Sequence, residues 1–318
     1  MMMHVSVIVA TYNRAPSLRK TLETFAKLVC PADLNWELII VDNNSNDDTK
    51  QVANQCANSG RVRVRYVFEK RQCKSAALNA GIGAAQGELI AFTDDDVLLH
   101  QDWLTSLART FARFGGAAVA GRIVPTWVQK KPEWLEIDGQ QAVVNFELGE
   151  EFKEIELPPI GANCAFRKDV FARYGLFRLD LGVRGSQHTI TCEDTEFGMR
   201  LLRAGEKIIY CPDAIVYHPV DPKRITKKYF LDWYYYNGVS LTRTAGPPAF
   251  GVFYFGVPRW FYRELGDHLA RWMVTLDKNR RFHWKLRTYR TVGAIIESYR
   301  LSKAREMSEI PHLQQQSE

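Results

Sequence analysis

Five strand-like apolar runs, separated by four stretches with helical spacing, constrain this 318-residue chain more than any other feature. Val5 to Ala10 (VSVIVA) is continuous in β-branched and apolar residues, which suits a strand covered on both faces. Ala15 to Leu28 follows, with Leu18, Leu22, Phe25 and Leu28 on one helical face. Trp36 to Val41 reads as the second strand. Asp47 and Asp48 then fall in the first turn of a helix, where the macrodipole favours acids. Arg61 to Phe68, Leu89 to Thr93 and Ala117 to Ile123 supply three more strands. Between them lie a small-residue helix, Lys74 to Ala85, and an amphipathic one, His100 to Phe114. This alternation implies βαβ crossovers and a mainly parallel α/β sheet. The pattern loosens from Pro125 to Pro159, a length expected of a lid or binding loop. It resumes with Gly161 to Phe166, helices over Arg167 to Tyr174 and Glu193 to Ala204, and two short strands, Lys207 to Tyr210 and Ala214 to Tyr217.

The chemistry concentrates at FTDDDV, Phe92 to Val97, where a buried strand ends in three carboxylates. Asp94, Asp95 and Asp96 repel one another unless a counter-charge is present. At the C-terminal end of a strand, where ligands collect in open α/β sheets, they point to a bound cation. A solvated acidic turn that caps the next helix is the other reading. The six cysteines show no C-x-x-C pair and no zinc spacing, which fits free thiols in a reducing compartment. MMMHVSVIVATYNR meets polar residues too soon for a signal peptide, and no apolar run reaches membrane-spanning length. The expected location is therefore cytoplasmic, with at most a peripheral contact at the inner face of the cell membrane.

Six segments in order resemble the family 2 glycosyltransferases, inverting enzymes of the GT-A fold. They are VIVATYNR (Val7 to Arg14), IIVDNNSNDDT (Ile39 to Thr49), KSAALNAGI (Lys74 to Ile82), FTDDDV at the D-x-D position, GANCAFRKDVF (Gly161 to Phe171) and EDTEFGMRLLRAG (Glu193 to Gly205). The resemblance covers about the first 220 residues. It implies a catalytic domain over 1–220, with the nucleotide-sugar side in 1–123 and the acceptor side in 124–220. It also implies a nucleotide-sugar donor, usually UDP-linked, and Mn²⁺ or Mg²⁺ held by hard oxygen ligands. By the same resemblance Asp96 is the direct metal ligand, and Asp94 partners the ribose hydroxyls. Asp95 serves either role or caps the following helix. Asp42 accepts from the base, with Thr11, Tyr12 and Arg14 lining the base and ribose side, and Lys74 meets phosphate. Plainer alternatives stand beside these: an Asx turn at Asp42 and solvated surface positions for Arg14 and Lys74. Asp194 is the implied general base and Glu193 shapes the acceptor site, against a bland reading as helix N-terminal acids. His218 completes the metal's coordination or contacts the diphosphate, or is a packed histidine.

Charge divides the chain. Residues 1–220 sum to −2 and residues 221–318 to +8, within a total of +6. The basic part carries aromatic runs, YFLDWYYYNGVSLTR (Tyr229 to Arg243) and AFGVFYFGVPRWFYREL (Ala249 to Leu265), and a basic stretch from Lys278 to Arg290. Rings with arginines suit the headgroup level of a bilayer, so residues 245–290 are expected to meet an anionic membrane that presents a glycan or lipid-linked acceptor. The competing expectation is a helical hairpin whose aromatics pack on the catalytic domain. A nucleotidyltransferase would carry a glycine-rich loop where TYNRAPS stands. A nucleic-acid-binding module is disfavoured by the slightly acidic body, and no nucleic-acid partner is expected. A non-catalytic glycan-binding protein would have little use for the retained carboxylates.

Overall fold

A computed structural model describes residues 3–135, 142–185, 190–246, 248 and 250–309. The chain forms two compact units: one of residues 1–129, 143–188 and 193–221, the other of 130–142, 189–192 and 222–318.

The first unit is built on a sheet of nine strands. Along the chain these are β1 (Met3–Thr11), β2 (Leu34–Asp42), β3 (Val64–Phe68), β4 (Leu89–Thr93), β5 (Leu98–Leu99), β6 (Ala118–Trp127), β7 (Lys153–Ile155), β8 (Asn163–Arg167) and β9 (Ile208–Val220). The order is β3-β2-β1-β4-β8-β6-β9-β5, with β7 also pairing β9. Strands β3, β2, β1 and β4 run parallel, as do β6 and β9. Strand β8 runs antiparallel between β4 and β6, so the sheet is mixed around its centre.

Period-two burial explains why these runs are strands. Val5, Val7 and Val9 face one core together with Leu38 and Ile40, whereas Ile8, Ile39 and Val41 face the other. Helices α1 (Ala15–Phe25), α2 (Thr49–Asn58) and α4 (Trp103–Phe114) cover the first face. Helices α3 (Lys74–Ala84), α5 (Asp169–Tyr174) and α6 (Glu193–Arg203) cover the second. The small residues of α3 serve close packing: a Cβ on Gly81 would lie 2.6 Å from Ile8 Cγ2 and 3.1 Å from Val41 Cγ2.

Three local readings change. Asp47 and Asp48 precede α2 rather than forming its first turn, and Asp47 accepts from the Ala15 N–H at 3.0 Å, tying the start of α1 to this loop. The two short strands expected over 207–217 are one strand, β9, whose register with β6 shifts between Gly121 and Arg122. The excursion from Pro125 begins as the end of β6 and includes a 3-10 turn, Glu133–Leu135, and β7; residues 136–141 lie outside the described residues.

The second unit holds α7 (Lys227–Ala245), a hairpin of β10 (Phe253–Tyr254) and β11 (Val257–Pro258), α8 (Arg259–Val274) and α9 (Lys278–Glu309). Thr226 caps α7 by accepting from the Tyr229 N–H. Helices α7 and α9 touch backbone to backbone: a Cβ on Gly238 would sit 1.9 Å from the Arg290 carbonyl, and one on Gly293 would sit 2.1 Å from that of Tyr235. Phe230 and Tyr234 are fully buried, and the Trp134 ring meets Phe230 and Phe282 edge-on. Among the described residues, no helix is long and apolar enough to cross a membrane.

Candidate active site

Two strand pairings and two hydrogen bonds deliver the site to one edge of the first unit. Strand β4 ends at Thr93, paired with Asn163 at the start of antiparallel β8. The Thr93 hydroxyl donates to the Ala162 carbonyl at 2.9 Å. The aspartate turn after β4 therefore abuts Gly161, whose N–H donates to Asp194 Oδ2 at 2.7 Å. Just beyond the turn, β5 pairs with β9, setting Leu98 opposite Tyr217, the neighbour of His218. Residues more than a hundred positions apart thus share one edge because of strand order, not proximity in the chain. A stacked and edge-to-face cluster of Phe92, Phe166, Phe171, Phe177 and Phe197 lies in the core on the α3, α5 and α6 face.

Two protein cations partly neutralise the carboxylates. Lys74 Nζ, at the start of α3, lies 2.9 Å from Asp94 Oδ1 and 3.4 Å from Glu193 Oε1. Arg14 Nη1 lies 3.0 Å from Asp95 Oδ1 and 2.6 Å from Asp96 Oδ2. Burial alone would lower the Lys74 pKa, but Asp94, Glu193 and Asp194 outweigh it and hold the ammonium well above its usual range. Burial works against an ionised Asp94, yet Lys74 and His218 bring its pKa below the ordinary value. Asp95 is pushed up to about 6 by burial and by Asp96, with Arg14 opposing. Glu193 is raised by burial, against Lys74 and assisted by Asp194.

Among the described residues, one group of acids and histidine can hold a cation. One donor atom each from Asp94, Asp96 and His218 lies within 4.8 Å of the others. His218 Nε2 is 3.7 Å from Asp96 Oδ1, and Nδ1 is 3.4 Å from the Pro219 carbonyl. A proton on Nδ1 leaves the Nε2 lone pair facing the aspartates. Two carboxylates and an imidazole make a donor set that fits Mn²⁺ or Mg²⁺ with positions left for phosphate oxygens.

The remaining expected residues surround this cluster. Asp42 is buried at the end of β2, where Oδ1 accepts from the Ser45 N–H at 2.8 Å and Oδ2 from the Tyr66 hydroxyl at 2.7 Å. Burial and the Asp42 carboxylate push the Tyr66 phenol above its usual range. Thr11 is buried at the end of β1 and Tyr12 is half-buried beside it. Arg14, expected toward base and ribose, spends its guanidinium on Asp95 and Asp96. Asp194 is half-buried and oriented by two backbone donors, Gly161 and Thr195, whereas Glu193 is buried against Lys74. Lys74, Asp94, Gly161, Glu193 and Asp194 line one small cavity. A larger cavity, lined by Ile82, Leu89, Phe111, Lys168 and Leu176, sits at the opposite end of β4 and lacks such a constellation.

Sequence reasoning missed three contributors. Tyr66 lies in a strand whose alternation hid a functional hydroxyl. Gly161 acts through its N–H and lacks a side chain to notice. Asn43 is buried and bonds to the carbonyl oxygens of Glu69 and Arg71 and to the Cys73 N–H, fixing the loop that precedes Lys74. The only local signal for Asn43 was its place directly after Asp42 at a strand end.

Comparison with known proteins identifies the family and the fold. Residues 6–175 match the family described as Glycosyl transferase family 2. The chain is 26% identical over 251 residues to the succinoglycan biosynthesis protein ExoM of Rhizobium meliloti (strain 1021), covering 79% of this chain and 78% of that one. It is 28% identical over 245 residues to a glucosyl-dolichyl phosphate glucuronosyltransferase of Haloferax volcanii, covering 75% and 76%. Among solved structures, mannosyltransferase PcManGT from Pyrobaculum calidifontis, in complex with GDP-Man and Mn²⁺, aligns with a TM-score of 0.57 at 19% identity over 97% of this chain and 76% of that one. S. aureus TarS 1-349 in complex with UDP aligns with a TM-score of 0.52 at 17% identity over 96% and 92%. These likenesses establish the GT-A fold. A family match over more than half of its length makes the chain a member of glycosyltransferase family 2.

Proposed function

We propose that this glycosyltransferase moves a sugar, with inversion, from a UDP-linked donor to a hydroxyl of a glycan or lipid-linked acceptor in cell-surface polysaccharide synthesis. The observation that carries the reading is the meeting, at one sheet edge, of the Asp94, Asp96 and His218 donors with the Lys74, Glu193 and Asp194 cluster. Asp96 and His218 would hold the metal, Mn²⁺ or Mg²⁺, and Asp94 would serve both the metal and the donor's ribose. A divalent cation bound there offsets the charge that grows on the leaving diphosphate. Asp95, fixed by Arg14, keeps the aspartate turn in shape. Thr11, Tyr12 and Asp42 line the nucleoside side, and Lys74 adds positive charge toward phosphate.

Asp194 is the general base. It is the more exposed of the acid pair, and backbone donors hold its carboxylate in one orientation. It takes the proton of the acceptor hydroxyl as that oxygen attacks the anomeric carbon opposite the diphosphate. Glu193, turned to Lys74, shapes the pocket rather than moving the proton. Relatives named for succinoglycan biosynthesis and for O-antigen rhamnosyl transfer support the polysaccharide context.

A thermal-shift panel of UDP, GDP and their sugars, with and without Mn²⁺, tests the reading. At roughly 100 times its Kd, the cognate nucleotide stabilises the protein by about 2.7 kcal/mol, and only with metal present. Stabilisation by no nucleotide, or equal stabilisation without metal, removes the proposal.

A further inference from the structure

The three most exposed large apolar side chains of the described residues lie around one helix of the second unit. Leu276 is 95% exposed, Phe250 89% and Phe255 85%, with Val274 and Met273 above two-thirds. At about 100° per residue, the inward half of α8 carries Phe261, Glu264, Leu265, His268, Leu269 and Trp272. His268 Nδ1 lies 3.2 Å from Thr291 Oγ1 on α9, which fixes that half as the packed one. The outward half carries Arg259, Arg263, Met273 and Val274, with Trp260 at its border, all exposed, whereas the Arg271 guanidinium turns back over the Trp284 ring of α9. Its one acid, Asp267, is paired to Arg271 at 2.8 Å.

The β10–β11 hairpin is fastened to the start of α8, and its turn packs on α9, where Gly256 abuts Ser302. The Arg259 N–H donates to the Val252 carbonyl at 2.8 Å, and Tyr262 donates its hydroxyl to the Tyr254 carbonyl at 3.3 Å. Phe255 stands at the turn with φ 52°, a left-handed conformation that a phenylalanine adopts at a cost. The other apolar outcrop, Met273 to Leu276, lies at the far end of the same helix, roughly 22 Å away. It leads straight into exposed Lys278, Arg280 and Arg281. Arg287, by contrast, has its Nε buried and does not belong to this surface.

We infer that α8 lies flat on an anionic lipid bilayer, with Phe250 and Phe255 inserted at one end, Val274 and Leu276 at the other, and Arg259 and Arg263 on lipid phosphates. The inference rests on the reading that the acceptor is presented at a membrane, and it names which residues of 245–290 make the contact. Two small apolar outcrops, each beside exposed cations (Arg259 and Arg263 at one end, Lys278, Arg280 and Arg281 at the other), match the layered chemistry of a bilayer surface, apolar below and anionic above.

The test uses the full chain and vesicles of phosphatidylcholine alone or mixed with phosphatidylglycerol. The protein pellets with the mixed vesicles and about tenfold or more weakly with the neutral ones, and salt near ~0.5 M releases it. Brominated lipid quenches tryptophan fluorescence, and Trp260→Phe removes most of that quenching. Phe255→Ser with Leu276→Ser, or Arg259→Glu with Arg263→Glu, lowers vesicle binding about tenfold or more, while the metal-dependent nucleotide thermal shift is unchanged. No pelleting at low salt, or undiminished pelleting of both double variants, overturns the inference. So does a vesicle-free dimer that the Phe255 and Leu276 pair abolishes, because the face then joins two copies of this chain. Vesicle binding without any nucleotide-dependent shift would sink the catalytic reading and leave this surface standing.

Discussion

Replacing Lys74 by Met asks whether the carboxylate edge is held by a protein cation. Lys74 is 27% exposed, Asp94 25% and Glu193 5%, so the three groups are largely withdrawn from water. At 2.9 Å and an effective dielectric near 20, one such pair is worth roughly 6 kcal/mol of Coulomb energy before desolvation is counted. Removing one partner of a buried pair costs about 3–5 kcal/mol, because the remaining charge stays buried. Lys74 and Asp94 keep about a quarter of their surface in water, which lowers the expectation to roughly 2–4 kcal/mol. The backbone N–H of residue 74 still donates to the Val183 carbonyl in the variant, so the start of α3 is not itself broken. For a unit of this size that loss lowers the melting temperature by roughly 4–16 °C in metal-free buffer. Adding Glu193→Gln to Lys74→Met removes one orphaned charge and recovers part of the loss, a coupling that a double-mutant cycle reads directly. A drop below about 2 °C, or a double variant whose losses simply add, would refute the assignment of Lys74 as the electrostatic tie of the site.

Asp194→Asn keeps one of the two backbone hydrogen bonds, since its amide nitrogen cannot accept the other, and loses the base, so kcat falls about 10²- to 10⁴-fold while nucleotide affinity by calorimetry stays within about twofold. Loss of nucleotide binding in that variant would contradict the assignment. Asp96→Ala abolishes the metal dependence of the nucleotide thermal shift, whereas a shift that remains metal-dependent would move the ligand role elsewhere. In the second unit, burial holds His268 below its ordinary pKa, with Glu264 and Asp267 opposing and Arg287 and Arg290 assisting. The unfolded state then binds the extra proton, so the stabilising contribution is present above the unfolded value and is lost as pH falls through it toward the depressed folded one. Melting followed between about pH 7.5 and 5 falls more steeply for the wild type than for His268→Gln, and equal slopes would exclude the histidine as the cause.

Period and composition made the parallel half of the sheet legible, because β1, β2 and β4 are buried on both faces and leave little room for another assignment. The direction of β8 was not legible: a short run such as NCAF is apolar whichever way it runs, and its antiparallel seat is fixed by pairing with distant β4 and β6. Strand β9 looked broken at Cys211-Pro212, since proline cannot donate to a ladder. The register step at Gly121 absorbs the irregularity, with Gly121 opposite Cys211 and Arg122 opposite Ile215, so the strand continues to His218.

The same division between local and distant causes runs through the site. Repulsion among Asp94, Asp95 and Asp96 is a neighbour effect, so their need for positive charge could be read from six residues. Where that charge comes from could not, because Arg14 is 81 and 82 positions from its partners and Lys74 is 20 from Asp94. The protein supplies part of the neutralisation itself, which weakens any argument that runs from a carboxylate triplet straight to a metal. The argument survives on the surplus. Arg14 and Lys74 face Asp94, Asp95, Asp96 and Glu193, with Asp194 alongside, and the imidazole of His218 adds a further donor atom. Acid still exceeds base at the edge where the lone pair of His218 converges with two carboxylates. A divalent cation is the simplest species that removes the excess and uses the lone pair.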